Sequence, residues 1–510
     1  MAGQRFAAIA CFVALTLMLS SGALFTGARA ATPADTARAY VEAHKKQVVE
    51  EYLKLAGSPS LHGDVPNLKR TADLLLAMMK KRGLAAELWV PSNGIPVVFG
   101  EKLVPGARHT ILFYIHYDGQ PVDAKRWAQA DPFKPVIRTG AIEHGGKTVT
   151  DLNGNISPDW RIYARAAGDD KVPIEAILTA LDAVSPRENI KIFLHGEEEG
   201  GGPGQDEVIK KYPDKLKSDV TVILDGPAHP LGKATIYYGA RGGANLTVTV
   251  YTAKQGMHSG NYGNWMPDAN VRLSQLISSM VDSKGKVVVK DFYSDVLPFK
   301  PDAVAMMKAV PDQSADIRKE YGVGGTDGAA AYLQEGLNLP SFSIHRMSGG
   351  EVGGVIPGSA TAEIAMRLVK ENRPGIMVQR VIAHIRAQGY FVVDKDPDVA
   401  TLAAHDKIAK IVTRTTDVNT SGGAWRTDPN DPQAQFITQA MQATWGRENV
   451  IRIRTTGGGV PATPFIDAFH VPVVGIEIAN YDDNQHSDNE NLRLGNLFDG
   501  VVTLAGVMTE

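Results

Sequence analysis

The stretch ILFYIHYDGQPVD, residues 111–123, combines the pattern of a buried strand with two polar side chains at its end. Five consecutive apolar residues, ending at Ile115, are typical of a strand covered on both faces, as in a parallel sheet. His116 and Asp118 follow, and because they are two positions apart on a strand they lie on the same face. Gly119 then favours a turn. The stretch predicts a strand that carries a histidine and a carboxylate to one edge of a sheet.

The segments around this strand alternate between helical and strand patterns. Apolar residues recur at helical spacing in residues 36–55, 67–81 and 172–184, whereas AELWV, IPVVFG, IKIFLH and VTVILD are short β-rich runs. Strands that alternate with helices are typical of an α/β domain. The sequence therefore predicts a mostly parallel central sheet that is flanked by helices.

A different pattern begins near Arg241 and indicates an inserted domain. The runs ANLTVTVYTA and TAEIAMRLV alternate polar and apolar residues, and PDANVRLSQLISSM between them is predicted to be helical. This pattern is typical of an α+β domain whose antiparallel sheet has one solvated face. Helix–strand alternation then returns through VPVVGIEI and ends with a C-terminal helix. We therefore predict one α/β domain formed by residues 31–239 and 396–510, interrupted by an insert at residues 240–395.

The overall composition is that of a globular protein without a polyanionic partner. The chain has 510 residues, which exceeds what one hydrophobic core supports. Hydrophobic residues make up 44%, charged residues 21%, and the formal net charge is −3. No cluster of Lys and Arg in the sequence would follow a phosphate backbone, so we expect no nucleic-acid partner.

The first residues have the features of a secretory signal peptide. Arg5 precedes the apolar run FAAIACFVALTLML, and the small residues Ala28 and Ala30 precede ATPA, so residues 1–30 are predicted to be cleaved after Ala30. The alternative is a retained membrane anchor, but this run is shorter than the roughly 20 residues that span a bilayer. We expect a secreted or periplasmic protein with no stable membrane span after cleavage. It would lack disulfides, because Cys11 is the single cysteine.

Acidic and histidine residues follow several of the predicted strands. Ligands of open α/β sheets bind outside the carboxyl ends of strands, so we expect these side chains to converge on one crevice. They are His116 and Asp118, Asp169 and Asp170, Glu197, Glu198 and Glu199, Asp225 and, in the downstream segment YDDNQHSDNENL, His486.

These residue types point to a metal centre. Converging carboxylates repel one another, and a bound cation is the simplest compensation. Histidine nitrogen with carboxylate oxygen suits Zn²⁺, with Mn²⁺ or Co²⁺ as alternatives, and the set suffices for two ions about 4 Å apart that share one carboxylate. Asp118 can accept the second ring N–H of His116 and orient it. Each element alone also fits a solvated loop, a helix cap or a turn, but five such sites in this order favour the metal centre.

Spaced motifs make the sequence similar to a known enzyme family. HYDGQPVD with RWAQADPFKPVIRTG resembles the carnosinase-like branch, and GEEEGGG, GMHSGNYG, VIPGSATAEIAMRLV and HSDNENL follow in the family's order. Over nearly the whole mature chain the sequence resembles the dinuclear zinc metallopeptidases that include carnosinase, bacterial dipeptidases, glutamate carboxypeptidase and aminoacylase. The resemblance implies a catalytic domain interrupted by a lid and dimerisation domain.

The resemblance also implies a role for each residue of the cluster. Glu197 would be the general base, Asp118 would orient His116, and Glu199 would be a spacer without a role. A cis peptide bond between the paired aspartates is implied as well. The implied metal ligands are His116 and Asp225 for one ion, Glu198 and His486 for the other, and Asp169 as the bridge between them.

Two residues of the insert match functional positions of the family. His258, in GMHSGNYG, matches the histidine that one subunit sends into its partner's site to stabilise an oxyanion, which implies a homodimer. Arg367, in IAMRLV, matches the arginine that binds a substrate carboxylate. Without the motifs, these would be a loop histidine and an exposed strand arginine.

The sequence departs from the family pattern near the bridging aspartate and the substrate. Two alanines replace glycines that precede the paired aspartates, a valine replaces the glycine after them, and two glycines stand where threonine and serine are common. These changes alter backbone freedom and substrate contacts. The positions are Ala164, Ala166, Val172, Gly354 and Gly459.

The implied function is a secreted or periplasmic dizinc hydrolase that cleaves the amide bond of dipeptides or short peptides with a free carboxylate. Asp225 favours the dipeptidase branch, since the aminoacylase and glutamate carboxypeptidase branches tend to use glutamate there. An N-acyl-amino-acid amidohydrolase with the same metals is the alternative. A non-catalytic binding protein on a peptidase scaffold would lack a ligand or the base, and none is missing. A tethered structural protein would require the N-terminal segment to be retained.

Overall fold

The computed structural model describes residues 31–350 and 353–510, so the predicted signal peptide and its cleavage after Ala30 lie outside the described residues. Eight strands of the described chain form the central sheet. They are β1 (Ala85–Trp89), β2 (Val97–Lys102), β3 (Thr110–His116), β7 (Asn189–His195), β8 (Val220–Ile223), β9 (Ala234–Tyr237), β19 (Val450–Ile453) and β20 (Val473–Glu477).

The order of these strands is β1-β2-β7-β3-β8-β20-β9-β19. Four neighbouring pairs are parallel: β7 with β3, β3 with β8, β8 with β20, and β9 with β19. The other pairs are antiparallel. The prediction of an α/β fold with a mostly parallel central sheet is therefore confirmed.

Helices cover both faces of this sheet, because the central strands are apolar on both sides. On β3, Ile111, Phe113 and Ile115 face one core, whereas Leu112 and Tyr114 face the other. The helices of the described chain are α1 (Pro33–Ala56), α2 (Val65–Lys81), α3 (Val172–Ala183), α4 (Pro203–Lys211), α5 (Pro213–Leu216), α6 (Ser259–Tyr262), α7 (Ala269–Ser278), α8 (Pro301–Ala309), α9 (Ser314–Glu320), α10 (Leu333–Leu337), α11 (Pro374–Ala387), α12 (Val399–Ala404), α13 (Pro432–Trp445), α14 (Thr463–Phe469) and α15 (Leu494–Thr509). None of them combines the length and the apolar composition needed to cross a bilayer.

A small second sheet brings two distant segments of the chain together. Its strands are β4 (Val136–Arg138), β5 (Thr148–Val149), β6 (Arg161–Tyr163) and β21 (Asn491–Arg493). Since β21 pairs with β6, the loop before β21 lies beside the loop that follows β6. This pairing places His486 next to the paired aspartates.

The insert contains a separate five-stranded sheet. Its strands are β11 (Gly242–Tyr251), β13 (Ser341–Gly349), β15 (Ser359–Leu368), β16 (Phe391–Val393) and β17 (Ile408–Val412), in the order β13-β15-β11-β17-β16. Buried and less buried residues alternate along β15, and α7 and α11 pack on the buried face. The expected α+β pattern with one solvated face is thus present.

The predicted end of the insert at residue 395 is too early. Strand β17 starts at Ile408 and pairs along β11, so the insert sheet extends at least to Val412. The chain returns at β18 (Trp425–Arg426), which pairs with β10 (Gly239–Ala240) at the start of the insert. Strand β17 is short, and its membership of the insert sheet rests on pairing with the distant β11, which a local sequence pattern does not predict.

Candidate metal centre

Three side chains form a buried group at the carboxyl end of the central sheet. His116 ends β3, Asp225 follows β8, and Asp169 lies in the loop before α3, with ligand atoms all within 4.8 Å of one another. The Nε2 atom of His116 is 3.0 Å from Oδ1 of Asp169. One histidine nitrogen and two carboxylates are thus arranged around a common point.

A second group shares Asp169 with the first. His486 Nε2 lies 3.0 Å from Oδ2 of Asp169 and 3.3 Å from Oε2 of Glu199, and the ligand atoms again lie within 4.8 Å of one another. Since the two carboxylate oxygens of Asp169 face different histidines, this residue occupies the bridging position between the two groups.

Asp118 connects the histidine to the glutamate run. Its two carboxylate oxygens accept the backbone N–H groups of Glu198 and Glu199, each at 3.1 Å. Nδ1 of His116 is 3.1 Å from the backbone oxygen of Asp118 and 3.4 Å from its carboxylate. The fully buried Asp118 therefore holds the ring of His116 mainly through its backbone oxygen and the path of the glutamate loop through its carboxylate.

The glutamate run is shifted by one position from the sequence-based assignment. Glu197, expected as the base, is 8% exposed, and its Oε2 accepts hydrogen bonds from Asn93 Nδ2 at 2.6 Å and from the Gly204 N–H at 3.2 Å. Glu198, expected as a ligand beside His486, belongs to neither ligand group, and Glu199 occupies that place. The sequence alone does not distinguish three consecutive glutamates. Which of them faces His486 depends on where the chain turns, and the contacts with Asp118 help to set that position.

The loop with the paired aspartates is held by Glu490. Its carboxylate accepts the N–H groups of Ala166, Gly168 and Asp169 at 3.0–3.1 Å and pairs with Arg165 at 2.7 Å. Ala166 has a φ of 62°, so the left-handed conformation is kept although alanine replaces glycine. The Asp169–Asp170 peptide bond is cis, as the resemblance implies.

The other departures from the family pattern leave the cluster in place. Val172 is fully buried as the first residue of α3. Gly354 has a φ of 58°, a conformation that threonine would adopt only with strain. Gly459 is exposed, and a side chain there would come within 3.9 Å of Nη1 of Arg367.

The electrostatics of the cluster fit bound cations. Burial raises the pKa of Asp225 to about 8, and it raises the pKa values of Glu198 and Glu199 to about 7. The hydrogen bond to Asp169 raises the pKa of His486 to about 9. Although burial opposes it, the contacts of His116 with Asp118 and Asp169 raise the pKa of this histidine well above its usual value. The acids outnumber the imidazoles, and divalent ions between them would balance the charge.

The two predicted residues of the insert lie outside both ligand groups. His258 is exposed in the short strand β12 (Met257–His258), which pairs with β14 (Val355–Ile356), and its Nδ1 accepts the N–H of Gly260 at 3.1 Å. Arg367 is exposed on β15. Within one chain, both residues are therefore available on the surface of the insert.

Three further residues of the site were not assigned from the sequence. Glu490 supports the aspartate loop, and Gln485 donates to Oδ2 of Asp169 at 3.0 Å. Glu477 is buried and accepts the hydroxyl of Thr456 at 3.1 Å. Glu490 lies in the motif HSDNENL and Gln485 directly precedes it. Their closeness to His486 in the sequence was the signal that could have identified them as residues of the site. Glu477 lies inside an apolar strand pattern, where only the fold reveals its neighbours.

An α/β sheet with two histidine–carboxylate groups at its carboxyl edge fits a metal-dependent hydrolase that binds two ions. The model of "Peptidase family M20/M25/M40" matches residues 112–510. The chain therefore belongs to this peptidase family and is a metallopeptidase.

The curated relatives include dipeptidases. The chain is 28% identical to the Beta-Ala-His dipeptidase of Homo sapiens over 437 residues, which cover 81% of this chain and 77% of that protein. It is 25% identical to the Cys-Gly metallodipeptidase DUG1 of Saccharomyces cerevisiae, with 81% of both chains covered. Among solved structures, an M20 family metallo-carboxypeptidase from Sulfolobus solfataricus has a TM-score of 0.70 at 22% identity and covers 90% of this chain and 98% of its own.

Proposed function

We propose that this protein is a dizinc dipeptidase that cleaves the amide bond next to a free carboxylate. The observation that carries the proposal is the position of Asp169, whose two oxygens face two histidine–carboxylate groups. The names of the curated relatives support dipeptides as the substrate class.

The ligand sets follow from the two groups of side chains. His116 and Asp225 would hold one ion, Glu199 and His486 the other, and Asp169 both. When bound, the pair of ions supplies an activated water and polarises the scissile carbonyl. Zn²⁺ suits this mixture of nitrogen and oxygen donors, with Mn²⁺ and Co²⁺ as alternatives.

Glu198 is our candidate for the general base. Its backbone is held by Asp118, its side chain is only partly buried, and no partner like those of Glu197 restrains its carboxylate within the described residues. A carboxylate in this position can take a proton from the attacking water and deliver it to the leaving amine. The carboxylate of Glu197, in contrast, accepts hydrogen bonds from Asn93 and from the N–H of Gly204 and so stabilises the glutamate loop.

The insert would complete the site. Arg367 would bind the free carboxylate of the substrate through its planar guanidinium. His258, exposed on β12, would enter the site of a partner subunit and stabilise the oxyanion, so we propose a homodimer as the active form.

We also propose that the protein acts outside the cytoplasm. The support is the order of Arg5, the apolar run and the small residues Ala28 and Ala30. N-terminal sequencing of the protein from its native host tests this point, and a mature chain that begins at Ala31 is expected. A mature protein that still begins at Met1 would contradict it.

The substrate class is tested by mass-spectrometric turnover. The purified protein, supplied with Zn²⁺ or Mn²⁺, is offered a mixed panel of free dipeptides and N-acyl amino acids. We expect dipeptides to be cleaved. Cleavage of N-acyl amino acids alone would instead establish an N-acyl-amino-acid amidohydrolase, and turnover of neither class would contradict the proposed activity.

A further inference from the structure

Arg241 and Arg367 lie next to each other at the start of the insert sheet. Nη2 of Arg241 donates to Oγ of Ser341 at 2.6 Å and to the backbone oxygen of Leu339 at 3.1 Å. Ser341 is directly opposite Arg367 in the antiparallel pair of β13 and β15, so their side chains share one face of the sheet. The guanidinium of Arg241 thus reaches the face that carries Arg367.

Neither guanidinium has an acidic partner among residues 31–350 and 353–510, where no carboxylate forms a salt bridge with either of them. Arg241 is 7% exposed, and its Nε is buried without a hydrogen-bond acceptor. Burial and the neighbouring Arg367 lower the pKa of Arg241 to about 10, so the group remains charged at neutral pH. The buried charge of Arg241 is costly without a counterion, and with the exposed guanidinium of Arg367 beside it the pair fits an anion that comes from outside.

A loop connects this arginine pair to the metal centre. Glu477 continues the pairing of β20 with β8, which puts it beside Asp225, and it accepts the hydroxyl of Thr456. Three residues further, Gly459 lies between the two arginines: a Cβ built on it would be 3.2 Å from the backbone oxygen of Arg241 and 3.9 Å from Nη1 of Arg367. Because this position has no side chain, the space in front of Arg367 is open.

We propose that Arg241 and Arg367 together select dipeptides whose C-terminal residue is aspartate or glutamate. This inference rests on the proposed function, in which Arg367 binds the α-carboxylate of the substrate. The side-chain carboxylate of the same residue then takes the second guanidinium, that of Arg241. Gly459 provides the room for a residue that carries both carboxylates.

The test compares isosteric substrates. The ratio of kcat/KM for Ala-Glu over Ala-Gln, and for Ala-Asp over Ala-Asn, is measured with the full zinc-loaded protein. We expect the acidic member of each pair to be favoured about 10- to 100-fold, the effect of one charged hydrogen-bonding partner. Equal turnover within each pair, or preference for the amide, would overturn the inference while leaving the dipeptidase assignment intact. Turnover of no peptide at all would overturn the assignment and the inference together.

Variants of single arginines test whether Arg241 is the residue that selects acidic C-terminal residues. In Arg241→Gln the ratio for Ala-Glu over Ala-Gln is expected to fall towards one, mainly through KM for Ala-Glu. Arg452→Gln is the matched control, because Arg452 is a partly buried arginine that donates to Tyr238 instead. If Arg241→Gln retained the wild-type ratio, or Arg452→Gln lost it equally, Arg241 would not be the selecting group. Should Arg241→Gln fail to fold, the wild-type ratios still show whether acidic C-terminal residues are preferred. Arg241→Lys, which keeps the positive charge, then tests whether charge alone supports that preference.

Discussion

The carboxyl end of the central sheet, which carries the candidate metal ligands and is termed the metal end, and the short strand β12 of the insert hold their functional side chains differently. At the metal end, Asp118 binds the N–H groups of Glu198 and Glu199, and Glu490 binds those around Asp169. On β12, the side chain of His258 is exposed, and among the described residues its one hydrogen bond is the N–H of Gly260 that it accepts. The comparison teaches that the candidate metal ligands are preorganised within one chain, whereas the histidine of the insert is exposed and is free for the role across a dimer interface that we propose.

The largest effect is expected within the glutamate run. Glu198→Gln removes the proposed base and should lower kcat about 10²- to 10⁴-fold while both metals remain bound. Glu197→Gln keeps an acceptor for Asn93 and Gly204 and should retain most of the activity. Steady-state kinetics with metal analysis of both variants decides between them. The reverse pattern would restore Glu197 as the base.

His258→Ala is expected to lower kcat about 10²- to 10³-fold, the typical effect of removing one oxyanion donor. Its metal content should not change, because His258 lies outside both ligand groups. Mixing this variant with Glu198→Gln should restore about a quarter of wild-type activity, since each mixed dimer would contain one complete site. If the mixture stayed inactive under conditions of subunit exchange, His258 would not act across the interface.

Asp118→Asn tests the preorganisation of the metal end. The amide group would turn an N–H towards one of two backbone donors, so the loop of Glu198 and Glu199 would lose a contact. We expect metal affinity to fall about 10- to 100-fold, measured by competition with a chelating dye. The control is Asp123→Asn, an exposed position in the same segment that should leave the affinity unchanged. Unchanged affinity in Asp118→Asn would refute its orienting role.

The smallest effect concerns backbone strain beside the bridging aspartate. Ala166→Gly removes a methyl group but relieves the left-handed conformation, whose cost for alanine is about 1–2 kcal/mol. Ala164→Gly removes an equally buried methyl group where φ is not positive. In chemical denaturation, Ala166→Gly should therefore be the more stable of the two variants by about 1 kcal/mol or more. Equal free energies of unfolding would show that Ala166 is not strained.

The sequence was sufficient to predict the fold class and the strand ends that form the site. Apolar runs that end in His116, Asp225 and the glutamates are local signals, and the parallel sheet brings such ends together. The resemblance added the expectation that Asp169 bridges two ions; Asp169 belongs to both groups of candidate ligands, and its bridging role stays a prediction.

What the sequence could not provide depends on contacts between distant segments. In a run of three glutamates, the hydrogen bonds that the N–H groups of Glu198 and Glu199 donate to Asp118 help to determine which carboxylate faces His486. The support by Glu490 requires β21 to lie beside β6. Likewise, the membership of β17 in the insert sheet follows from its pairing with β11 and not from its short sequence.

The most direct test of the account is the number of metal ions that one chain binds. After dialysis against metal-free buffer, mass spectrometry of the metals in the Zn²⁺-loaded protein should give two ions per chain. In Asp169→Asn, which lacks one charge at the bridging position, we expect fewer than two. A wild-type ratio of one, or an Asp169→Asn variant that keeps two tightly bound ions, would contradict the shared position of Asp169.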